Sequence, residues 1–355
     1  MPSQQQQHSY WPAEWTEHQA CFLLWPHNSE TFRLDAVRRE FRQLLAALAV
    51  YEPVLLGVPD EATLREFDYD ENVTAFVCPS NDTWARDTGP TVVVVENHRL
   101  VGLDWDFNAY GGPDEGCYWP CDLDRAIAGN VCRQLSIDRH HVPLVLEGGS
   151  IHTDGQGTLL TTQECLLHPN RSGKSQHELE EILQSQLGCT KTIWLPTGLA
   201  YDDDTNGHVD NWACFVRQGH VVLAWTDDAE HDGENYERCR QSLAVLEQET
   251  DASGNPLTIH KLLLPRPIFY TKEMVETLPV RKEGERMAAS YVNFYIANGA
   301  VLVPQFGDIE RDALAMATLA ALFPDRIAVG IPSLEILMGG GNLHCITQQI
   351  PKLVL

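Results

Sequence analysis

The feature that most constrains the fold is a unit that recurs along the chain: two short apolar segments joined by a turn, then an amphipathic segment, then a third apolar segment. The paired segments are rich in Val, Ile, Thr and aromatic residues, and turn-forming residues stand between them, which predicts β-hairpins. The predicted hairpins cover residues 91–104, 150–162, 212–225 and 291–303. Residues 20–25 predict a strand of one further unit.

Each unit continues with apolar residues at helical spacing and then with another strand. The predicted helices are 32–48, 122–135, 175–187, 236–247 and 309–322, and the strands that follow them are 54–58, 141–146, 190–194, 259–264 and 326–330. Asp122 is predicted to be the N-cap of the second helix. The pattern predicts an α/β protein of repeated ββαβ units, although one irregular α+β domain fits the same pattern.

The chain is strongly acidic. Its 355 residues include 25 Lys and Arg against 50 Asp and Glu, so the formal charge is −25. Binding to nucleic acid or to anionic membranes is not expected, because both depend on clustered basic side chains. A small cationic substrate would be attracted to such a surface. With 43% hydrophobic residues, the chain has enough apolar material for a large core.

Targeting signals are not evident in the sequence. Residues 1–10 lack a basic stretch followed by an apolar one, and no apolar run approaches the roughly 20 residues of a membrane helix. The ten cysteines include no CxxC pair, which favours buried thiols in a reducing compartment. We therefore expect a cytoplasmic protein with a disordered tail over residues 1–9 and one domain over residues 10–355.

Reactive side chains recur at one end of the predicted units. Asp87 precedes the first hairpin, Glu147 the second, and His208 and Asp210 the third, while Cys345 lies near the end of the chain. If equivalent units are arranged radially, these ends converge on one centre. The repeat therefore predicts one cavity surrounded by a thiol, an imidazole and several carboxylates.

These residue types suit attack on a cationic, planar carbon. A thiolate is a strong nucleophile, and an imidazole beside it can stabilise the thiolate and later donate a proton to a departing amine. Paired carboxylates match the planar donors of a guanidinium group. The glycines at 339–341 let the backbone before Cys345 approach a ligand closely.

Each of these residues also has a structural interpretation. A single buried cysteine is more often inert than catalytic, Trp84 fits a core position, and the acidic run 202–204 is typical of a solvated loop. His208, Asp210 and His220 could instead ligate a metal ion, although this spacing is a weak signal. The residues alone leave open a thiol enzyme, a metallohydrolase and a non-catalytic polyamine-binding protein.

Six motifs, taken in order, resemble the agmatine deiminase family, a group within the bacterial-type peptidyl-arginine deiminases and the guanidine-modifying enzymes of the pentein superfamily. They are PAEW at 12–15, SNDTWARDTGP at 80–90, LEGGS at 146–150, NGHVDN at 206–211, ASYVNFYIANG at 289–299 and GGNLHCITQQ at 340–349. The resemblance extends from about Tyr10 to the C-terminus. It implies a five-bladed, pseudo-symmetric α/β propeller of ββαβ units (the pentein fold) with a central active site.

The resemblance also implies roles for individual residues. Cys345 would be the nucleophile that forms a covalent amidino-cysteine, and His208 would act as general acid and base. Glu147 would orient His208 or the guanidinium group, and Asp87 and Asp210 would bind that group.

Two further positions complete the implied substrate site. Asp204 matches an acidic position near the substrate, and Trp84 would line the aliphatic chain of the substrate. The family often has Trp where this chain has Tyr110, a departure that we expect to leave the chemistry unaffected.

The implied reaction converts agmatine and water to N-carbamoylputrescine and ammonia, without a metal or organic cofactor. Free arginine or peptidyl arginine remains the alternative substrate, and these would need a cationic partner for a carboxylate that agmatine lacks. A homodimer is the default expectation for assembly.

Overall fold

The structure is a computed structural model that describes residues 9–67, 71–96 and 98–353. Its strands are β1 His18–Leu24, β2 Val54–Val58, β3 Val73–Val77, β4 Thr91–Val95, β5 Arg99–Asp106, β6 Asp138–Val145, β7 Ile151–Thr153, β8 Thr158–Thr162, β9 Lys191–Leu195, β10 Ala213–Arg217, β11 His220–Trp225, β12 Thr258–Leu263, β13 Tyr295–Ala297, β14 Ala300–Gln305, β15 Ile327–Pro332 and β16 Thr347–Pro351. Residues 1–8 of the predicted tail lie outside the described residues, whereas the Ser9 hydroxyl donates to the carbonyl of Gln186 at 2.9 Å.

The helices alternate with these strands. They are α1 Leu34–Tyr51, α2 Glu61–Glu66, α3 Ala85–Thr88, α4 Gly112–Glu115, α5 Ile127–Leu135, α6 Gln163–Leu166, α7 Gln176–Leu187, α8 Gly233–Leu246, α9 Lys272–Val275, α10 Ile309–Leu322 and α11 Leu334–Met338. Short 3₁₀ turns are formed by Asp124–Ala126, Gly148–Ser150 and Val209–Asn211. In the part of the chain that the structure describes, no helix is both long and apolar enough to span a membrane.

The strands form five small sheets that repeat one topology. Four sheets have the orders β4-β5-β6, β7-β8-β9, β10-β11-β12 and β13-β14-β15. In each of them the first two strands are antiparallel, and the third joins the second in parallel after a helical crossover. Successive strands can pair in parallel only through such a crossover, because the chain must return to the end of the sheet at which the preceding strand began. The five-bladed α/β propeller of ββαβ units is therefore confirmed.

The remaining sheet joins the two ends of the chain. Its order is β16-β1-β2-β3, with β16 antiparallel to β1 and β2 parallel to β1. Cys21 pairs with Gln349 in this register. The sequence predicted the strand at 20–25 but not its partner, because that partner lies more than 300 residues away along the chain.

The two largest differences from the predicted boundaries concern the second helix and the last hairpin. Asp122 is not the N-cap of the second helix, because a 3₁₀ turn at Asp124–Ala126 precedes α5. The carboxylate of Asp124 instead accepts the backbone N–H of Asn81 at 2.7 Å. The strand predicted from residue 291 begins only at Tyr295, because the preceding residues turn towards the centre of the ring.

The blades are held together by burial of the strands and of one face of each long helix. Every residue of β4 and β8 is buried, as expected for strands covered on both faces. In α7, Leu179, Leu183 and Leu187 are buried at a spacing of four residues, while Ser175 forms a capping box with Glu178 at its start. The predicted burial of the thiols is confirmed for nine of the ten cysteines, and the exception is Cys117.

Candidate active site

Each blade contributes a functional side chain from the segment that directly precedes its first strand. Asp87 lies on α3 before β4, and Glu147 begins the turn before β7. Asp210 lies in the turn before β10, Asn293 precedes β13, and Cys345 precedes β16. Because the segments occupy equivalent places in five similar units, the fold brings them to one centre. The predicted convergence of the reactive ends is therefore what the structure shows.

Cys345 lies in a buried, negatively charged environment. Its Sγ is 3.2 Å from Asn293 Nδ2 and 3.5 Å from Asp210 Oδ2. Burial raises the pKa of this thiol well above its usual range, and the charges of Asp210 and Asp87 raise the pKa further. The unliganded site therefore holds a neutral thiol, and a bound cation would favour the thiolate.

Three reactive atoms surround the position of Gly149. A methyl group at Gly149 would lie 2.7 Å from His208 Nδ1, 2.8 Å from Asp210 Oδ2 and 2.9 Å from Asp87 Oδ1. These distances are shorter than any normal contact, so only glycine leaves the space that the three groups need. The glycines of the motif at 146–150 therefore permit the assembly of the site.

Asp87 is oriented by two hydrogen bonds. Its Oδ1 accepts the N–H of Gly149, and its Oδ2 accepts the hydroxyl of Tyr110, both at 2.8 Å. Burial raises the pKa of Asp87, and the charges of Asp210 and Glu147 act in the same direction. Tyr110 reaches this position from a left-handed backbone conformation with φ of 69°. The Tyr110 hydroxyl contacts a predicted substrate ligand, so whether Tyr110 leaves the chemistry unaffected stays a prediction that substitution of this residue can test.

His208 lies between two carboxylates. Its Nε2 is 3.6 Å from Glu147 Oε2, and its Nδ1 is 3.9 Å from Asp87 Oδ1. Burial disfavours the imidazolium form, but the charge of Asp87 and contacts with Cys165 and Glu147 outweigh it and raise the pKa of His208. Neither ring nitrogen has a hydrogen-bond partner among the described residues, so both are available to a ligand or water.

Glu147 is fixed by a buried arginine. Arg171 Nε lies 2.9 Å from Glu147 Oε1 and donates to Oε2 at 3.0 Å. Burial alone would raise the pKa of Glu147, but Arg171 and His208 hold the pKa at about 2. The remaining guanidinium nitrogens donate to the carbonyls of Tyr110 and Thr205 at 2.8 and 2.9 Å. Glu147 is therefore a permanent anion that faces His208.

A cavity of about 740 Å³, including its mouth, leads from the surface to Cys345. Trp84, Asp87 and Tyr110 line it together with Cys345, whereas His208, Asp210 and Glu147 are not among its lining residues. A methyl group at Gly341 would be 2.5 Å from the Trp84 ring and 3.1 Å from Cys345 Sγ. The backbone at Gly341 therefore lies close to the thiol, as the glycine run predicts.

Asp204 also lines the cavity, but its carboxylate is already paired. Arg281 donates to Asp204 Oδ1 at 3.0 Å and to Oδ2 at 2.6 Å, and its Nη2 also donates to the carbonyl of Gly339 at 2.8 Å. Arg281 is the one lysine or arginine among the described residues that line this cavity. The positive charge of Arg281 is therefore neutralised by Asp204.

The structure does not assemble the predicted alternative metal site. His220 stacks on His260, with Nδ1 3.0 Å from the Nε2 of that residue, and it joins no group of three candidate ligands in the described ranges. Two other groups of three could reach a metal ion: Glu147, Cys165 and His208, and Glu14, His152 and His344. Arg171 and Arg86 bind the carboxylates of these two groups, so in each group a guanidinium already supplies the positive charge that a metal ion would supply.

Asn293 and Arg171 are residues beside the predicted site residues that the sequence interpretation missed, and for Tyr110 it did not foresee the contact with Asp87. Asn293 has a signal in the repeat, because it precedes the first strand of its blade just as Asp87 and Asp210 precede theirs. Arg171 has no such signal, since it lies in a loop that follows α6 and meets Glu147 only through the fold.

This fold and this thiol-carboxylate site define a protein of the guanidine-modifying class. The model of the Porphyromonas-type peptidyl-arginine deiminase family matches residues 10–351. The chain is 44% identical to an agmatine deiminase of Pseudomonas aeruginosa over 96% of this chain and 95% of the relative. The agmatine deiminase structure of Enterococcus faecalis matches with a TM-score of 0.92 and 36% identity, over 98% of this chain and 97% of that one. A substrate-bound agmatine deiminase of C. jejuni matches with a TM-score of 0.84 and 26% identity, over 98% of each chain.

The chain therefore belongs to the Porphyromonas-type peptidyl-arginine deiminase family, and within it to the agmatine deiminases.

Substitution Tyr110→Phe tests the hydrogen bond to Asp87. We expect kcat/KM to fall roughly 10- to 100-fold, because a hydrogen bond to a charged group contributes about 1.5–3 kcal/mol. The measurement is steady-state kinetics beside thermal denaturation. Unchanged kcat/KM in a folded variant would show that Asp87 does not depend on the phenol.

Substitution Asp210→Asn tests the cause of the high Cys345 pKa. Removing this negative charge should lower the pKa and increase the thiolate fraction, so alkylation of Cys345 at pH 8 should become faster, by roughly tenfold if the pKa falls by about one. The rate is measured by mass spectrometry of the labelled peptide, with Cys345→Ala to identify that peptide among those of the other cysteines. Slower or unchanged labelling of Cys345 contradicts the electrostatic explanation.

Proposed function

We propose that the protein hydrolyses the guanidinium group of agmatine to give N-carbamoylputrescine and ammonia, with Cys345 as the nucleophile. The observation that carries the proposal is the position of Cys345 Sγ, 3.5 Å from the Asp210 carboxylate and in the same cavity as Asp87. A buried thiol next to carboxylates has little use as a free nucleophile, but it becomes reactive when a planar cation fills the site.

Asp87 and Asp210 are the proposed ligands of the guanidinium group. Asp210 Oδ1 has no hydrogen-bond partner among the described residues and is buried, so it is available to accept from the substrate. Carboxylates on two sides of a planar cation bind it in one orientation, which holds the central carbon near the sulfur. Binding thereby removes much of the entropic cost of the attack.

Thiolate formation follows from the same charges. The bound guanidinium group offsets the negative charges of Asp210 and Asp87, which otherwise raise the Cys345 pKa. The thiolate then attacks the guanidinium carbon, ammonia departs, and the amidino-cysteine remains. Attack of water on this intermediate releases N-carbamoylputrescine and regenerates the sulfur.

His208 is the proposed general acid and base, and Glu147 is its positioning residue. The imidazole lies against Glu147 and Asp87, which favour the protonated form that donates to the leaving ammonia. Deprotonated His208 can then accept a proton from the attacking water. Glu147 contacts Arg171 and His208, so of its two implied roles the one we propose is orientation of the imidazole.

The mouth of the cavity favours agmatine over arginine. Trp84 lines the path of an aliphatic chain, and acidic side chains outnumber basic ones in the lining: Glu30, Asp82 and Asp204 against Arg281, which is paired with Asp204. Arginine would need a free cation for its carboxylate, but Arg281 is bound to Asp204 and to the carbonyl of Gly339. The acidic lining suits a substrate with a second positive charge and no carboxylate.

Ammonia release from agmatine, arginine and a peptidyl-arginine substrate tests the proposal. We expect the highest kcat/KM for agmatine and a loss of at least about 10³ in the rate for Cys345→Ala, because covalent catalysis is abolished. Turnover that survives in Cys345→Ala overturns the nucleophile assignment. Binding of agmatine without product would indicate a polyamine-binding protein, and loss of activity in chelator would indicate a metallohydrolase.

Substitution Asp204→Asn tests the choice between the substrates. The change leaves Arg281 without its partner, so the ratio of kcat/KM for agmatine to that for arginine should fall roughly tenfold, since a charge-assisted hydrogen bond contributes about 1.5–3 kcal/mol. Asp203→Asn is the matched control, because this exposed neighbour carries the same charge. An equal effect of both variants would show that only the summed charge of the mouth matters.

A further inference from the structure

His344 lies directly behind the substrate site and bridges two carboxylates. Its Nδ1 is 2.9 Å from Asp210 Oδ2, and its Nε2 is 2.9 and 3.1 Å from the two oxygens of Glu14. All three side chains are buried. A neutral imidazole has one N–H donor, so it would leave one carboxylate facing a lone pair, whereas the imidazolium donates to both.

Glu14 in turn contacts basic side chains from other blades. Arg86 Nη1 lies 3.2 Å from Glu14 Oε1 and 2.6 Å from Gln349 Oε1, and His152 Nε2 is 3.5 Å from Glu14 Oε2. Burial alone would raise the pKa of Glu14, but His344, Arg86 and His152 keep that pKa well below its usual range. Glu14 is therefore an anion that faces His344.

The arrangement also determines which oxygen of Asp210 can meet a ligand. Oδ2 is occupied by His344 and lies next to Cys345 Sγ, while Oδ1 has no partner among the described residues. If His344 were neutral or absent, Asp210 would be a buried carboxylate beside Asp87 without its nearest counter-charge, and protonation would be favoured.

We propose that His344 is a positioning residue that stays protonated, keeps Asp210 ionised and directs its free oxygen to the substrate, and that Glu14 maintains this protonation. The role in catalysis rests on the proposed function, whereas the charge of His344 follows from the contacts alone. Through Glu14 and His344, the segment before β1 is connected to the active site.

The charges that face His344 come from four separate parts of the chain. Asp210 precedes β10, Glu14 precedes β1, Arg86 lies on α3, and His152 lies on β7 with its ring centroid 6.2 Å from that of His344. The two carboxylates favour the imidazolium, and Arg86 and burial oppose it. His344 contacts both carboxylates directly through its ring nitrogens, whereas Arg86 meets only the backbone carbonyl of His344, so the imidazolium form is favoured.

The first test observes the protonation of His344 without using activity. In ¹⁵N-histidine NMR spectra of the full chain at pH 7, one of the 14 histidines other than His208 should have both nitrogens protonated, and its signals should be absent in His344→Gln. In Glu14→Gln the same signals should show deprotonation at a lower pH than in the wild-type protein. A neutral His344 in the wild-type protein at pH 7 overturns the proposal, whether or not the protein hydrolyses agmatine.

The second test uses the pH dependence of kcat/KM for agmatine. His344 lowers the pKa of Asp210, so replacing it with neutral glutamine raises that pKa, and the acidic limb of the profile should move to higher pH. We expect a loss of roughly 10- to 100-fold near neutral pH that decreases as the pH is raised. A merely structural defect would lower the rate equally at every pH, and that result would refute the role.

Two further variants keep this test decisive. Asp312→Asn is the matched control, because this buried carboxylate accepts from Tyr291 and from the Phe306 N–H, remote from Asp210 in the bonding network. It should reduce stability without moving the acidic limb. If His344→Gln does not fold, Glu14→Gln provides the same shift through His344.

A wild-type protein that is inactive on agmatine but gives the expected NMR signals would refute the proposed function and leave the charge assignment of His344 standing.

Discussion

The structure depends on pairing each buried carboxylate at the centre of the ring with a buried donor or cation. Transfer of an unpaired carboxylate from water into a protein interior costs several kcal/mol, so a cluster of such groups would otherwise be protonated or would disrupt the fold. Glu147 is paired with Arg171, Asp210 with His344, and Asp87 accepts from Tyr110 and the backbone. These partners keep the negative charges in place while no ligand is bound.

The pairing is nevertheless incomplete, and in the function that we propose the unpaired charge gives the site its specificity for a cation. Asp87 retains a raised pKa, and one oxygen of Asp210 has no partner among the described residues. A planar cation with several N–H donors would both stabilise the ionised form of Asp87 and donate to the unpartnered oxygen of Asp210. In the function that we propose, the same charges hold Cys345 as a thiol until such a cation is bound, so the affinity for the substrate and the reactivity of the sulfur have one electrostatic origin.

Sequence patterns predicted most of the fold and the central residues of the site, for a definite reason. Hairpins, crossover helices and the strands after them are local, and their turn residues and apolar periods lie within about 20 residues of one another. Because the unit repeats, equivalent positions such as Asp87, Glu147 and Asp210 could be assigned to one centre. The predicted element boundaries differ most from the structure in two places. Near the second helix, the Asp124 carboxylate accepts a hydrogen bond from the distant Asn81. Before the last hairpin, the chain leaves the sheet and places Asn293 beside Cys345.

The sequence by itself determined the repeating ββαβ unit, the acidic character of the chain and the set of reactive residues, since each depends on residue type and short-range spacing. Only the tertiary structure decided that β16 closes the ring against β1, that Arg171 fixes Glu147, and that His344 meets Glu14 across 330 residues of sequence. Such contacts depend on where the ring closes and on the packing of blades against one another. Neither the place where the ring closes nor the packing between blades leaves a periodic or local pattern in the sequence.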